Sequence, residues 1–178
     1  MWQRRATVAV LMGCLVSLAG GRPAAAESDS KTIRVSATIL PRLELSVTPE
    51  TGQVLAFGTI EQPAFGRTID RAVRVNVHTF SNLGRPYHIT QLVRHLLTND
   101  EGTTIPAEQF QVLTPGASLG TLGAPHLTPM APDVPTTLYI SNGRGKSDAF
   151  LADYTLTVTP TTPAGQFQTE IVYTVLSL

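Results

Sequence analysis

From Thr32 onward the chain alternates apolar and polar residues in short runs broken by proline, glycine and asparagine. Ile33, Val35, Ala37 and Ile39 alternate with Arg34, Ser36 and Thr38, the period of two expected of a half-buried strand. Pro41 interrupts, and Leu43, Leu45 and Val47 then alternate with Arg42, Glu44 and Ser46, which predicts a second short strand or a kinked continuation of the first. Proline brings no donor to a ladder, so this position belongs at an edge or a bend. Val54 to Phe57 is a short apolar run ending at Gly58, and "EQPAFGR" (Glu61 to Arg67) reads as a loop.

The clearest strand signal is "DRAVRVNVHTF" (Asp70 to Phe80), in which Val73, Val75 and Val77 face one way and Arg74, Asn76 and His78 the other. "SNLGRP" then supplies turn residues, "YHITQLV" (Tyr87 to Val93) reads as the returning strand, and "TNDEGT" as another turn. "EQFQVL" (Glu108 to Leu113) is a short strand. The Gly- and Pro-rich stretch from Thr114 to Pro135 is long for a compact domain, so it is either a functional loop or conceals an edge strand.

"TTLYIS" (Thr136 to Ser141) resumes strand character before a turn at Asn142 to Asp148. In the closing pair Tyr154, Leu156 and Val158 alternate with threonines, and Ile171, Tyr173 and Val175 recur at every second position, which predicts an antiparallel hairpin. Ile171, Tyr173 and Val175 are thus expected to form a C-terminal core strand paired inside a sheet. No gap shows a helical period, and the Thr/Val/Ile content favours a pleated surface. The expected fold is an all-β, antiparallel, immunoglobulin-like β-sandwich with Greek-key connections.

The N-terminus reads differently. Arg4 and Arg5 precede an uncharged apolar stretch from Ala6 to Gly21 and then Pro23-Ala24-Ala25-Ala26, the pattern of a secretory signal peptide over residues 1–26. A single β-sandwich domain is expected over 27–178, with 27–31 as a flexible arm. Leu11-Met12-Gly13-Cys14 also resembles a lipobox, but cleavage before Cys14 would leave only Ala6 to Gly13 as the apolar run. No other stretch approaches the roughly 18 apolar residues of a membrane span. Cys14 is the one cysteine, so the mature domain is expected to hold itself together by packing alone. Export places it in the periplasm or at the cell surface.

Removing Arg4, Arg5 and Arg22 takes Lys+Arg from 13 to 10 against 13 Asp+Glu, a net charge of −3. That balance offers no basic footprint for nucleic acid or an anionic membrane. His78, His88, His95 and His126 lack the tight spacing of zinc ligands, and Asn99-Asp100-Glu101-Gly102 lacks the alternating oxygens and distant bidentate glutamate of a calcium loop. There is no G-x-S-x-G elbow and no mature cysteine nucleophile. No enzyme, metal site or cofactor is expected. Tyr87, Tyr139, Tyr154 and Tyr173 all fall in strand patterns, where packing roles are expected of them.

The opening "IRVSATILPRLELSV", the Phe57-Gly58-Thr59 turn and the Gly165-Gln166-Phe167 step into the last strand together resemble the secreted bacterial fimbria-like β-sandwich domains, among them the spore coat protein U domain. The resemblance spans roughly Thr32 to Leu178, without the cysteines of many such pilin-like domains, and Tyr173 is similar to the tyrosine near the end of chaperone-usher pilins. It implies a structural or adhesive subunit of the cell surface whose partners, the same or related subunits, join through strand edges. A sandwich lacking one strand must have its groove covered by an extended segment, its own or a neighbour's. Ile33, Val35, Ala37 and Ile39 are the expected groove-filling residues, and the plainer version has them complete their own sheet. The alternative function is a periplasmic or extracellular module that holds a glycan or peptide with the 114–135 loop.

Overall fold

The computed structural model describes Lys31, residues 33–117 and residues 119–178. The expected signal peptide at 1–26, Cys14, residues 27–30 of the arm and Thr32 lie outside the described residues. Chain contacts divide the protein into two units, the second being Ile39–Leu178. In the first unit, Lys31 and residues 33–38 carry no regular secondary structure and are exposed.

The second unit is an all-β sandwich of two antiparallel sheets. One sheet has the order β1-β2-β8-β4-β6, formed by Leu43–Pro49 (β1), Ile69–Ser81 (β2), Asp148–Val158 (β8), Phe110–Leu113 (β4) and Thr128–Pro129 (β6). The other has the order β5-β7-β3-β9, formed by Thr121–Leu122 (β5), Thr136–Ile140 (β7), Tyr87–Val93 (β3) and Ile171–Ser177 (β9). The period of two in the sequence becomes the inside and outside of each sheet. Val73, Val75 and Val77 of β2 and Ala152, Tyr154, Leu156 and Val158 of β8 are buried, as are Tyr87, Ile89 and Val93 of β3. Tyr87 packs against Tyr139 with ring centroids 6.0 Å apart, and Tyr139 stacks on Phe150 at 5.1 Å.

Three features depart from the sequence reading. Ile33, Val35, Ala37 and Ile39 form no strand, and the first ladder begins at Leu43, beyond Pro41. Alternation specifies which face a strand would bury; it does not specify which edge that strand joins. The 82–86 connection carries the chain from β2 in one sheet to β3 in the other, so Tyr87–Val93 is not a partner returning beside β2.

The closing strands are likewise not a hairpin. β8 pairs with β2 and β4, whereas β9 pairs with β3. Their inward residues face one another across the core, an arrangement that needs the same alternation as a hairpin. β9 ends its sheet, paired with β3 on one side, and Ile171, Tyr173 and Val175 pack against the core.

The glycine- and proline-rich stretch from Thr114 to Pro135 supplies β5 to one sheet and β6 to the other, and buries Thr114, Ala124 and Met130. Gly120 and Gly123 have a packing reason. A Cβ on Gly120 would lie 2.3 Å from the Tyr139 ring, and one on Gly123 would lie 2.1 Å from the Thr137 carbonyl oxygen.

Candidate strand-acceptor cleft

β1 and β9 end their respective sheets. In each, the backbone register shows which groups are spent. Asn82 N–H donates to Arg42 O at 3.2 Å and Glu50 N–H to Arg74 O at 2.9 Å, so the even-numbered residues of β1 bond to β2. The alternating antiparallel ladder then turns the N–H and C=O groups of Leu43, Leu45 and Val47 away from β2. On β9, Leu178 N–H donates to Pro86 O at 2.8 Å, and Arg94 N–H donates to Glu170 O at 3.0 Å. Ile171, Tyr173, Val175 and Ser177 therefore direct their backbone groups away from β3.

The same odd-numbered residues point their side chains inward. Leu43, Leu45, Val47, Ile171, Tyr173 and Val175 all pack against the core, yet each stays half-buried, whereas their counterparts on β2, β3 and β8 are covered. The core is thus open along one side, where a cleft of about 1420 Å³ lies between the two edges. One wall is β1 with the segment Gln53 to Ile60; the other is Thr162 to Tyr173. Val75, Leu97, Ile105, Phe110, Leu156 and Val158 form the floor.

The two short motifs singled out in the sequence meet here. Phe57 of Phe57-Gly58-Thr59 sets its ring edge-on to Phe110 with centroids 6.0 Å apart, and Gly58 takes a φ of +70° that lets the chain turn. Phe167 of Gly165-Gln166-Phe167 packs against the core from the opposite wall. Gly165 has a φ of +150°, and a Cβ there would stand 2.8 Å from Asn99 Nδ2.

From the Tyr173 wall a polar chain runs into the core between the sheets. Tyr154 donates its hydroxyl proton to Gln91 Oε1 and accepts one from Tyr173, while Gln91 Nε2 lies 2.9 Å from Met130 Sδ. Gln91 and Tyr154 are fully buried. Burial is the main reason both phenols are raised above their ordinary value, Tyr173 to about 12. The sequence signalled Tyr154 and Tyr173 as packing residues, but Gln91 went unnoticed because an amide at an inward position breaks the apolar pattern.

The remaining titratable candidates lie elsewhere. His78 is exposed on the outer face of β2, His88 is half-buried on the outer face of β3, and His95 and His126 are exposed. Asn99 Oδ1 accepts from the backbone of Glu101 at 3.1 Å and Thr103 at 2.8 Å, which is turn chemistry. Asp148 accepts from Tyr139 Oη at 2.6 Å and Leu119 N at 2.9 Å, and Asp153 receives Arg74 through two bonds of 2.7 and 2.9 Å. Among the described residues, no group of three or more His, Cys, Asp or Glu is placed to hold a metal ion, and no helix is long and apolar enough to cross a membrane.

Position along the sandwich also matters. Leu43 pairs with Ser81 and Ser177 with Tyr87, and Ser81 and Tyr87 flank one short connection. The start of β1 and the end of β9 therefore share one end of the sandwich, and the cleft, lined from Leu45 to Pro49 and from Thr169 to Tyr173, opens toward the other. The chain matches no protein-family model, and no curated protein matches it.

Proposed function

We propose that this chain is an exported, non-enzymatic structural or adhesive subunit of the bacterial cell surface, assembled by adding a strand from one copy to the cleft of the next. The reading rests on one observation: two half-buried edge strands, with the backbone groups of Leu43, Leu45 and Val47 and of Ile171, Tyr173, Val175 and Ser177 turned away from their ladders, flank an open apolar core. The cleft exceeds the roughly 300 to 1,000 Å³ of ordinary small-ligand pockets, and its edges ask for main-chain partners, which an extended peptide supplies.

The chain carries such a peptide. Ile33, Val35 and Ile39 are 84%, 91% and 83% exposed, and Ala37 is exposed with them. Placing these four side chains in the cleft removes apolar surface from water, worth about 1.5 to 3 kcal/mol for each of the larger three if fully covered. Donation from each copy to the next is heterologous, and it closes into a ring or extends as an open chain according to the rotation between neighbours.

The test uses the exported chain and a synthetic peptide of residues 33–40. Light scattering is expected to show assemblies that grow with concentration and shorten when the peptide is added, while a peptide carrying Val35→Asp has no effect. A chain that stays monomeric at every concentration and binds neither peptide would sink the reading. The glycan- or peptide-binding alternative gains no specific support from the 114–135 loop, whose β5 and β6 are committed to sheet edges.

A further inference from the structure

If the cleft accepts a strand, the nearest candidate by chain connectivity is the segment that immediately precedes β1 in the same molecule. Folding residues 33–39 back beside Leu43–Pro49 as a hairpin would close the core without a partner. The local chemistry of Leu40, Pro41 and Arg42 bears on whether this happens.

Register decides which fold-back is useful. Directly opposed residues of a hairpin share a face. A two-residue loop at Leu40-Pro41 would oppose Thr38 to Leu43 and Ser36 to Leu45, turning the polar residues inward and the apolar ones out. The pairing that brings Ile39, Ala37, Val35 and Ile33 inward opposes them to Leu43, Leu45, Val47 and Pro49, and leaves Leu40-Pro41-Arg42 as a three-residue loop.

Such a loop is built from a type I turn followed by one left-handed residue. Pro41 would occupy the second turn position, where its ring forces the preceding residue out of the helical region. Arg42 would have to take a positive φ, which it does not have: among the described residues Asp133 is the one non-glycine residue with positive φ. Sliding the loop back one residue puts Pro41 itself at the left-handed position, which its fixed φ forbids, and sliding it forward puts Leu43 there, which has no positive φ and is paired with Ser81.

Asn82 reinforces the same constraint from outside the segment. Its Oδ1 accepts from Arg42 N–H at 2.5 Å, its Nδ2 donates to Leu40 O at 3.1 Å, and its own N–H donates to Arg42 O at 3.2 Å. These three bonds hold the backbone on both sides of Pro41 along the line of β1. The Arg42 side chain is engaged as well, 5.2 Å over the Phe80 ring and paired with Glu44 at 2.5 Å.

We infer that Pro41 and the Asn82 clasp bar residues 33–39 from closing the cleft of their own chain, so that its occupant is the same segment of a second copy. This rests on the strand-acceptor reading above. It makes Pro41, Arg42 and Asn82 positioning residues for assembly, remote from the cleft they control.

The test replaces the forbidden turn with a permitted one. Pro41→Asn with Arg42→Gly gives a loop whose left-handed position is glycine, and an insertion of Gly/Ser residues between Leu40 and Pro41 relieves the same constraint while leaving Arg42 and Asn82 intact. Both exported variants are expected to be monomeric and to bind the 33–40 peptide about a hundredfold more weakly than the parent, for a peptide of ~10 µM affinity competing with a tethered segment at ~1 mM effective concentration. If the parent binds the peptide and both variants bind it equally well and assemble as before, the inference fails and the strand-acceptor reading stands. If parent and variants alike ignore the peptide, the reading itself fails.

Discussion

The hydroxyls of Tyr154 and Tyr173 share a hydrogen bond across the interior of the sandwich, Tyr154 from the centre of one sheet and Tyr173 from the edge of the other. Tyr154 passes its own proton to Gln91, so its removal orphans two partners, whereas removal of the Tyr173 hydroxyl leaves Tyr154 still bonded to Gln91. The two substitutions should therefore differ. Tyr173→Phe is expected to cost about 1 kcal/mol and Tyr154→Phe about 2 kcal/mol or more, because an unpaired buried polar group bears its full desolvation penalty. Equal losses in a denaturant titration would show that the chain of hydroxyls is not coupled.

That pair also marks the limit of what alternation conveys. Tyr154, Leu156 and Val158 were legible as one inward face and Ile171, Tyr173 and Val175 as another, and both do face the core. Two strands with such faces can lie side by side or stand opposite each other, and the alternation is identical in either case. The choice is made by the connection from Thr159 to Glu170, too long for a tight hairpin loop and carrying Phe167 into the core. β5 and β6 are two residues each, below the length at which a period can be read. The cleft was legible only as a general need for strand edges, because burial on one side of an edge strand depends on a neighbour that the local sequence does not encode.

Alkaline pH should act through the same tyrosines. Burial is the first cause of the raised values of Tyr87, Tyr139, Tyr154 and Tyr173, with Tyr173 at about 12 against an ordinary 10.0. A group whose folded value lies above its unfolded one favours folding most fully below the unfolded value and loses that contribution as pH climbs to the folded one. Stability is expected to be level up to pH 10 and to fall toward 12. Trp2, the one tryptophan, lies within the expected leader, so phenolate absorbance of the mature chain reports the tyrosines. It should rise at higher pH in the folded protein than in the denatured chain, which titrates near 10, and together with loss of structure. A folded protein that titrates its phenols at 10 would contradict the burial.

Gly145 and Gly143 offer a matched pair in the 141–147 turn. Gly145 has a φ of +55°, and a Cβ there would lie 1.8 Å from the carbonyl oxygen of Arg85 in the connection that carries the chain between sheets. Nothing lies within 4 Å of a Cβ on Gly143, which has no positive φ. Gly145→Ala is expected to destabilise by about 2 kcal/mol or more through strain and overlap, and Gly143→Ala by no more than about 0.5 kcal/mol. Thermal midpoints of the two variants at one protein concentration make the comparison, and similar shifts would mean that the turn does not hold its close approach to Arg85.

Deleting residues 33–40 separates the fold of the domain from its assembly. Every strand of the sandwich lies between Leu43 and Ser177, so the deletion variant should fold and unfold cooperatively. What it should lose is the dependence of stability on concentration. A segment donated by a neighbour binds only the folded acceptor, and its stabilisation grows as the logarithm of free concentration over the dissociation constant, reaching about 2.7 kcal/mol at a hundredfold excess. The thermal midpoint of the parent is therefore expected to rise with protein concentration, and that of the deletion variant to stay fixed until the 33–40 peptide is supplied in solution. The added peptide should then restore the shift in the deletion variant, because the cleft between β1 and β9 is retained in full. Parallel concentration dependence in parent and variant would place the intermolecular contact on some other surface, and a variant that cannot fold would assign residues 33–40 to the domain's own core.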